Sequence, residues 1–291
     1  MTAAADAPVT VRLRSLRDDL QPALQRLADV ILADPPTAAG MTISELAESA
    51  GCSEATVVRF AHELGYTGYR DLRFRLHDDA VSTRVRGADG PETGDIDPDD
   101  DLATVVGKIA AADSRAVLDT ARALDLASLE VVAEHLRGAR RIVVVGAGAS
   151  ALAAADLGQK LARIGLPAHM HLGPHDSLPA VALLGPQDAV VALSHSGRTE
   201  ELVTALRIAG DQGAFRVAIT GSAGSPLARR ADQVLITSAQ ESAVRSGATA
   251  SRIAQLTAVD CVFVAVAQGL PDLGREALRR TRTAVESLRL P

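Results

Sequence analysis

The sequence predicts an all-α head followed by a doubly wound parallel α/β domain. Three observations predict it. Residues 11–76 carry apolar residues at helical spacing, punctuated by caps and glycines. The stretch DGPETGDIDPDDD at 89–101 is crowded with Gly, Pro and Asp and has no apolar period. From Arg141 onward, short apolar runs alternate with helical patterns, as parallel strands joined by crossover helices require.

Composition narrows the class. The 291 residues are 47% hydrophobic and 23% charged, an ordinary globular balance with room for two domains. Aromatics make up 2% and Trp is absent, which argues against a stacking platform for single-stranded nucleic acid. The net charge is −6, so any nucleic-acid surface must be a local patch. Its basic residues are nearly all Arg, the better bidentate reader of phosphate and guanine, with Lys only at 108 and 160. Cys52 and Cys261 fall in apolar helical patterns and are expected as buried free thiols rather than a disulfide. No signal peptide is read at the start, and the run Ile253 to Val266 is broken by Gln255 and Asp260 and too short to span a bilayer. The expectation is a cytoplasmic protein with no membrane partner.

Residues 11–34 carry a helical stripe through Leu13, Leu16, Leu20, Leu24, Leu27, Val30 and Ile31, stopped by Pro35-Pro36. Thr42 and Glu45 have capping-box spacing and open a short helix that ends at Gly51. Ser53 caps a second helix, Glu54 to Leu64, closed by Gly65. Ala47 is small enough for a close helix crossing, Gly51 suits a left-handed turn, and Val57 can pack back on the first helix. That combination predicts a helix-turn-helix. Its second helix would offer Ser53, Ala55, Thr56 and Arg59 to the major groove of double-stranded DNA. Arg70 and Arg73, with Arg75 beyond them, would meet phosphates. A helical module that binds only protein is the alternative.

Residues 78–101 read as an acidic linker, and 102–137 as helices. Thereafter strands are expected at 141–145, 168–172, 189–193, 215–220 and 233–237, with helices at 151–164, 176–184, 200–212, 249–267 and 273–288. Ligands in such sheets bind outside the carboxyl ends of the strands. Two loops belong there. One is Gly146-Ala147-Gly148-Ala149-Ser150. The other is Ser194-His195-Ser196-Gly197-Arg198-Thr199, which leads into a helix whose N-terminus suits a phosphate.

The glycine loop invites a dinucleotide, yet Ala151 replaces the third glycine and the next strand ends HMHL with no acidic residue. No cofactor is therefore expected. Gly148 is expected to let backbone approach a sugar, with Ser150 supplying a hydroxyl. His169, His171 and His175 lack the further ligands a metal site needs, apart from Asp176, so no metal is expected either.

The segment MTISELAESAGCSEATVVRFAHELGYTGYRDLRFRL resembles the N-terminal domain of the RpiR/MurR family of bacterial transcriptional regulators. The pieces VGAGAS, LGQKLARIG, HDSL, LLGPQDAVVALSHSGRTEE, GSPLARRADQVL and ESAVRSGATASRIAQLTAVD, in that order, resemble the sugar isomerase (SIS) domain of the same family. The resemblance implies a head over 1–77 and an SIS domain over 102–291. It also implies a homodimer or homotetramer, DNA bound by the head and a phosphosugar bound by the SIS domain. By matching positions Ser194, Ser196 and Thr199 would hold phosphate, Ser150 would face the ligand, and Glu241 would lie near the sugar. His195 and Gly197 complete that loop. The expected function is a non-enzymatic regulator whose operator affinity responds to a phosphosugar. The alternative is an aldose–ketose isomerase with a helical accessory domain, which would need a general base such as Glu241 and a partner acid that the sequence does not supply.

Overall fold

The computed structural model describes residues 8–85, 95–240 and 249–286. Contacts divide the chain into two compact units, 1–123 with 238–250, and 124–237 with 251–291. Each is described by itself.

The first unit is all helical. It contains α1 (Val9–Leu16), α2 (Pro22–Ala33), α3 (Pro35–Gly40), α4 (Ile43–Ser49), α5 (Glu54–Glu63), α6 (Tyr69–Val85) and α7 (Leu102–Ala123). The single helix expected over 11–34 is two. A 3-10 turn at Arg17–Asp19 breaks it, and Pro22 restarts it at the first helical position, where its missing N–H costs nothing. Pro35-Pro36 both stops α2 and opens α3, because Asp34 caps the new helix by accepting from the Thr37 N–H at 3.1 Å. Leu13, Leu27, Ile31, Leu46, Phe60, Leu64, Leu72 and Leu76 form the core of this unit. Asp79 ties α6 to the start of α1, accepting from the Val9 N–H at 2.5 Å.

Two boundaries differ from the sequence reading. Helix α6 runs to Val85, well into the expected linker. Helix α7, expected with the sheet, belongs to the helical unit, where Asp119 pairs with Arg14 at 2.5 Å. Thr120 accepts from the Ser238 N–H at 3.0 Å, which ties Ser238 to the same unit. Such long-range pairings leave no periodic trace in the sequence.

The second unit is a five-stranded parallel sheet built from β1 (Ile142–Gly146), β2 (Ala168–Leu172), β3 (Ala189–Leu193), β4 (Phe215–Thr220) and β5 (Gln233–Ile236). The strand order is β2-β1-β3-β4-β5. Ile142 and Val144 point to one face and Val143 and Val145 to the other, and both faces are buried. The first face carries α8 (Leu126–Gly138), α9 (Ser150–Arg163) and α12 (Thr249–Gln268). The second carries α10 (Pro174–Ala182) and α11 (Glu200–Asp211). A last helix, α13, covers Pro271–Glu286.

Helix α12 is longer than its apolar run suggested, and among the described residues it is the one helix long and apolar enough to cross a membrane. Its apolarity has another use here. Ala258, Val259, Val262 and Val266 are buried in the core beneath the sheet.

Candidate ligand and nucleic-acid sites

The helices that leave β1 and β3 depart to opposite faces. Helix α9 follows β1 on one face and α11 follows β3 on the other. The two strands are neighbours in register, with Gly146 opposite Leu193. A crevice must therefore open between their carboxyl ends, at the point where the winding reverses. Both loops singled out in the sequence begin there.

The loop after β3 is held by its own hydroxyls. Ser194 is 4% exposed. Its Oγ accepts from the Gly197 N–H at 3.1 Å and lies 3.0 Å from Thr199 Oγ1. In that pair one hydroxyl donates to the other, which leaves one O–H free to donate outward. Ser196 is exposed and its Oγ accepts from the Arg198 N–H at 3.2 Å. Gly197 has φ +62°, and a Cβ there would stand 2.2 Å from Ser225 Oγ, so only glycine fits.

Thr199 is the N-cap of α11 but does not cap it with its side chain. First-turn amides have no partner within a helix, and they carry the positive end of its dipole. The Leu202 N–H already donates to the Thr199 carbonyl at 3.1 Å, which leaves the Glu200 and Glu201 amides to face an anion, although their own carboxylates offset part of that potential. After β1, Gly148 takes φ +56° and Ser150 is the first residue of α9, half-buried. His195 is half-buried and Arg198 exposed. Glu241 lies outside the described residues.

A third segment, missed in the sequence, completes the edge. The His195 carbonyl accepts from the Gly221 N–H at 2.9 Å and from Thr220 Oγ1 at 3.2 Å. The Gly197 carbonyl accepts from the Leu227 N–H at 3.0 Å. Thr220, Ser222 and Ser225 are buried, so the loop after β4 serves as a polar backing plate for the loop after β3. A signal for it exists in Thr220-Gly221-Ser222 at the end of an apolar strand, a hydroxyl-glycine-hydroxyl pattern like that of 194–199.

In the helical unit, α4 and α5 form the expected pair. Thr42 and Glu45 close a full capping box, and hydrogen bonds from the Thr42 backbone and hydroxyl hold the Glu45 carboxyl below the usual carboxylate range. Gly51 turns with φ +58°, Ala47 is buried, and Val57, Phe60 and Ala61 bury one face of α5. Cys52 stands in that turn rather than in a helix, and both cysteines are free. Ser53 caps α5, accepting from the Thr56 N–H at 3.3 Å, and the two side-chain oxygens lie 2.9 Å apart. Ala55 and Arg59 are exposed on the opposite face from the core, and Arg70 and Arg73 are exposed on α6. Thr56 is half-buried. Among the described residues no group of three or more His, Cys, Asp or Glu converges as a metal site would require.

Residues 9–83 match the helix-turn-helix domain of the rpiR family, and residues 135–265 match the SIS domain. An uncharacterized HTH-type transcriptional regulator of Caldanaerobacter subterraneus is 33% identical over 88% of this chain and 89% of its own length. The Vibrio vulnificus NanR protein, solved in complex with ManNAc-6P, is 29% identical with a TM-score of 0.61, covering 97% of this chain and 99% of that one. A sugar-phosphate isomerase fold from Listeria monocytogenes matches with a TM-score of 0.54 at 23% identity. It covers 59% of this chain and 93% of that one, a likeness of fold alone.

Proposed function

Because the chain belongs to the rpiR family of helix-turn-helix regulators, we propose that it binds double-stranded DNA through α5 and senses a phosphosugar at the carboxyl edge of its sheet. It is a regulator and not an isomerase. Relatives that match along most of its length are named transcriptional regulators, whereas the isomerase fold matches only about three-fifths of it.

The observation that carries the reading is the build of the 194–199 loop. It presents hydroxyls and an uncapped helix N-terminus at the reversal point of the sheet, in a chain whose relative NanR is complexed with a phosphorylated sugar along nearly the same full length. Phosphate is assigned to Ser194, Ser196, Gly197 and Thr199, with His195 beside it, and the sugar is assigned to Gly148 and Ser150. Glu241 is retained from the family resemblance. In the helical unit Arg59 is assigned to a base edge, Ser53, Ala55 and Thr56 to the groove, and Arg70 and Arg73 to phosphates.

The assembly in this reading is a cytoplasmic homodimer, whose two recognition helices reach half-sites about 34 Å apart. A hundredfold change in operator affinity needs about 2.7 kcal/mol of coupling between the ligand and DNA sites. The test is a thermal-shift panel of sugar phosphates, run with and without DNA from upstream of the protein's own gene. A subset of sugar phosphates should raise the melting temperature, and DNA should change that response. No response to any of them removes the ligand assignment.

A further inference from the structure

The sheet-facing stripe of α12 is apolar for most of its length and then changes. Val259, Val262 and Val266 are buried in the core shared with Leu193, Ile219 and Leu235. One turn nearer the start of the helix stands Gln255, 1% exposed, and one turn before it Ser251, 2% exposed. Arg137, just before the amino end of β1, donates to the Ala265 carbonyl at 3.2 Å, so the last turns of α12 lie toward the amino edge of the sheet and its first turns toward the carboxyl edge. Among the described residues the buried Gln255 Nε2 has no hydrogen-bond partner.

A second group shares this condition. Thr237 follows β5, is 0% exposed, and its Oγ1 is also without a partner among the described residues. Its backbone N–H donates to the Thr220 carbonyl at 2.9 Å. Thr220 is the residue whose hydroxyl donates to the His195 carbonyl. Thr237 is thus joined through one residue to the 194–199 loop.

An unpartnered buried amide or hydroxyl is costly, and native proteins keep few of them. A leucine at 255 would continue the stripe without that cost. The hydroxyls of Thr220 and Ser225, by contrast, are satisfied within the protein, by the His195 carbonyl and the Ala228 N–H respectively. Thr237 follows β5, two strand spacings from β3, or about 10 Å. A six-carbon phosphate ester is long enough to cover that distance.

We propose that Gln255 and Thr237 are specificity-determining residues that read the sugar end of the effector, hydrogen-bonding to a hydroxyl or carbonyl oxygen while the phosphate rests at Ser194–Thr199. This rests on the phosphosugar reading above. The phosphate loop recognises what all sugar phosphates share. A buried amide that stays unpaired unless the right oxygen arrives discriminates among them, because a sugar lacking that oxygen leaves the amide stranded.

The test is calorimetric titration of the full chain with inorganic phosphate, glucose 6-phosphate, fructose 6-phosphate and N-acetylated hexosamine 6-phosphates. The variants are Gln255→Leu and Thr237→Val. Gln255→Leu should fold at least as stably as the parent. It should keep the parent's affinity for inorganic phosphate and lose at least about tenfold for the sugar phosphate the parent prefers. Thr237→Val should lose about threefold in the same selective way. Sugar-phosphate affinities within twofold of the parent in both variants overturn the proposal, as does an equal loss for phosphate and sugar phosphate. Should Gln255→Leu not fold, Thr237→Val decides alone. A parent chain that binds none of the sugar phosphates overturns the phosphosugar reading itself, which is a different result from variants that match a binding-competent parent.

Discussion

The two ends of the sheet are finished with different chemistry. At the amino end, Asp188 is fully buried before β3 and holds Arg140 at 2.7 Å and Arg141 at 3.1 Å, while accepting from the Gly185 N–H at 2.9 Å. Burial alone pushes the Asp188 carboxyl up. Hydrogen bonds from the two arginines and Gly185 outweigh it and hold the pKa below the usual aspartate range. At the carboxyl end, neutral hydroxyls, backbone amides and glycine turns hold the 194–199 loop. A paired charge locks an edge and has nothing left for a ligand. Neutral donors around a helix N-terminus hold a loop in shape and still have an O–H to offer an anion. Stability is therefore concentrated at one edge, and the proposed recognition at the other.

Three variants test this division and a fourth the nucleic-acid assignment, the most damaging first. Gly197→Ala places a side chain at positive φ and against Ser225, and should cost about 3 kcal/mol in denaturant unfolding while abolishing any sugar-phosphate thermal shift. A well-folded variant that still responds would show that the turn is not part of the site. Asp188→Asn should cost about 2 kcal/mol, discounted because both arginines reach solvent, and should leave ligand affinity unchanged. Its pH dependence has a definite sign. A depressed folded-state pKa stabilises above about pH 4, and that contribution drains away as the pH falls further. Unfolding measured between about pH 2 and 7 should lose that part of its acid slope in Asp188→Asn. If the variant alters ligand affinity, the two edges are not independent.

Ser194→Ala combined with Ser196→Ala should cost only about 1 kcal/mol, since the Gly197 N–H keeps the Ser194 carbonyl at 3.2 Å and the Arg198 N–H loses Ser196 Oγ on an exposed turn, yet should eliminate the response to sugar phosphate. Arg59→Ala should leave the melting temperature unchanged, being exposed on α5, and should weaken DNA binding in an anisotropy titration by about tenfold or more. Retained DNA affinity would move the nucleic-acid contact off α5.

What is legible in the sequence follows the range of the forces involved. The Thr42–Glu45 capping box, the Ser53 cap and the Gly51 turn act within a few residues, and each can be read from its immediate neighbours. The five strands are also legible, because a sheet buried on both faces leaves unbroken apolar runs such as Val143 to Val145. The order β2-β1-β3-β4-β5 is not, since it depends on which face each crossover helix takes. Nor is the backing of Gly197 by Thr220 and Ser225, which lie 23 or more positions away in sequence. The attachment of α7 to the helical unit turns on Arg14 and Asp119, a pairing no local pattern announces. The candidate site is thus half visible: its loop can be read, while the residues that fix the loop cannot.

The central claim is that one chain couples a sugar-phosphate site to a DNA site. The most direct measurement is fluorescence anisotropy of upstream DNA against the full chain, with and without the sugar phosphate that stabilises it, for the parent and for Ser194→Ala/Ser196→Ala. DNA affinity should change by at least about tenfold for the parent and not at all for the double variant. An unchanged affinity in the parent, or the same change in both proteins, would contradict it.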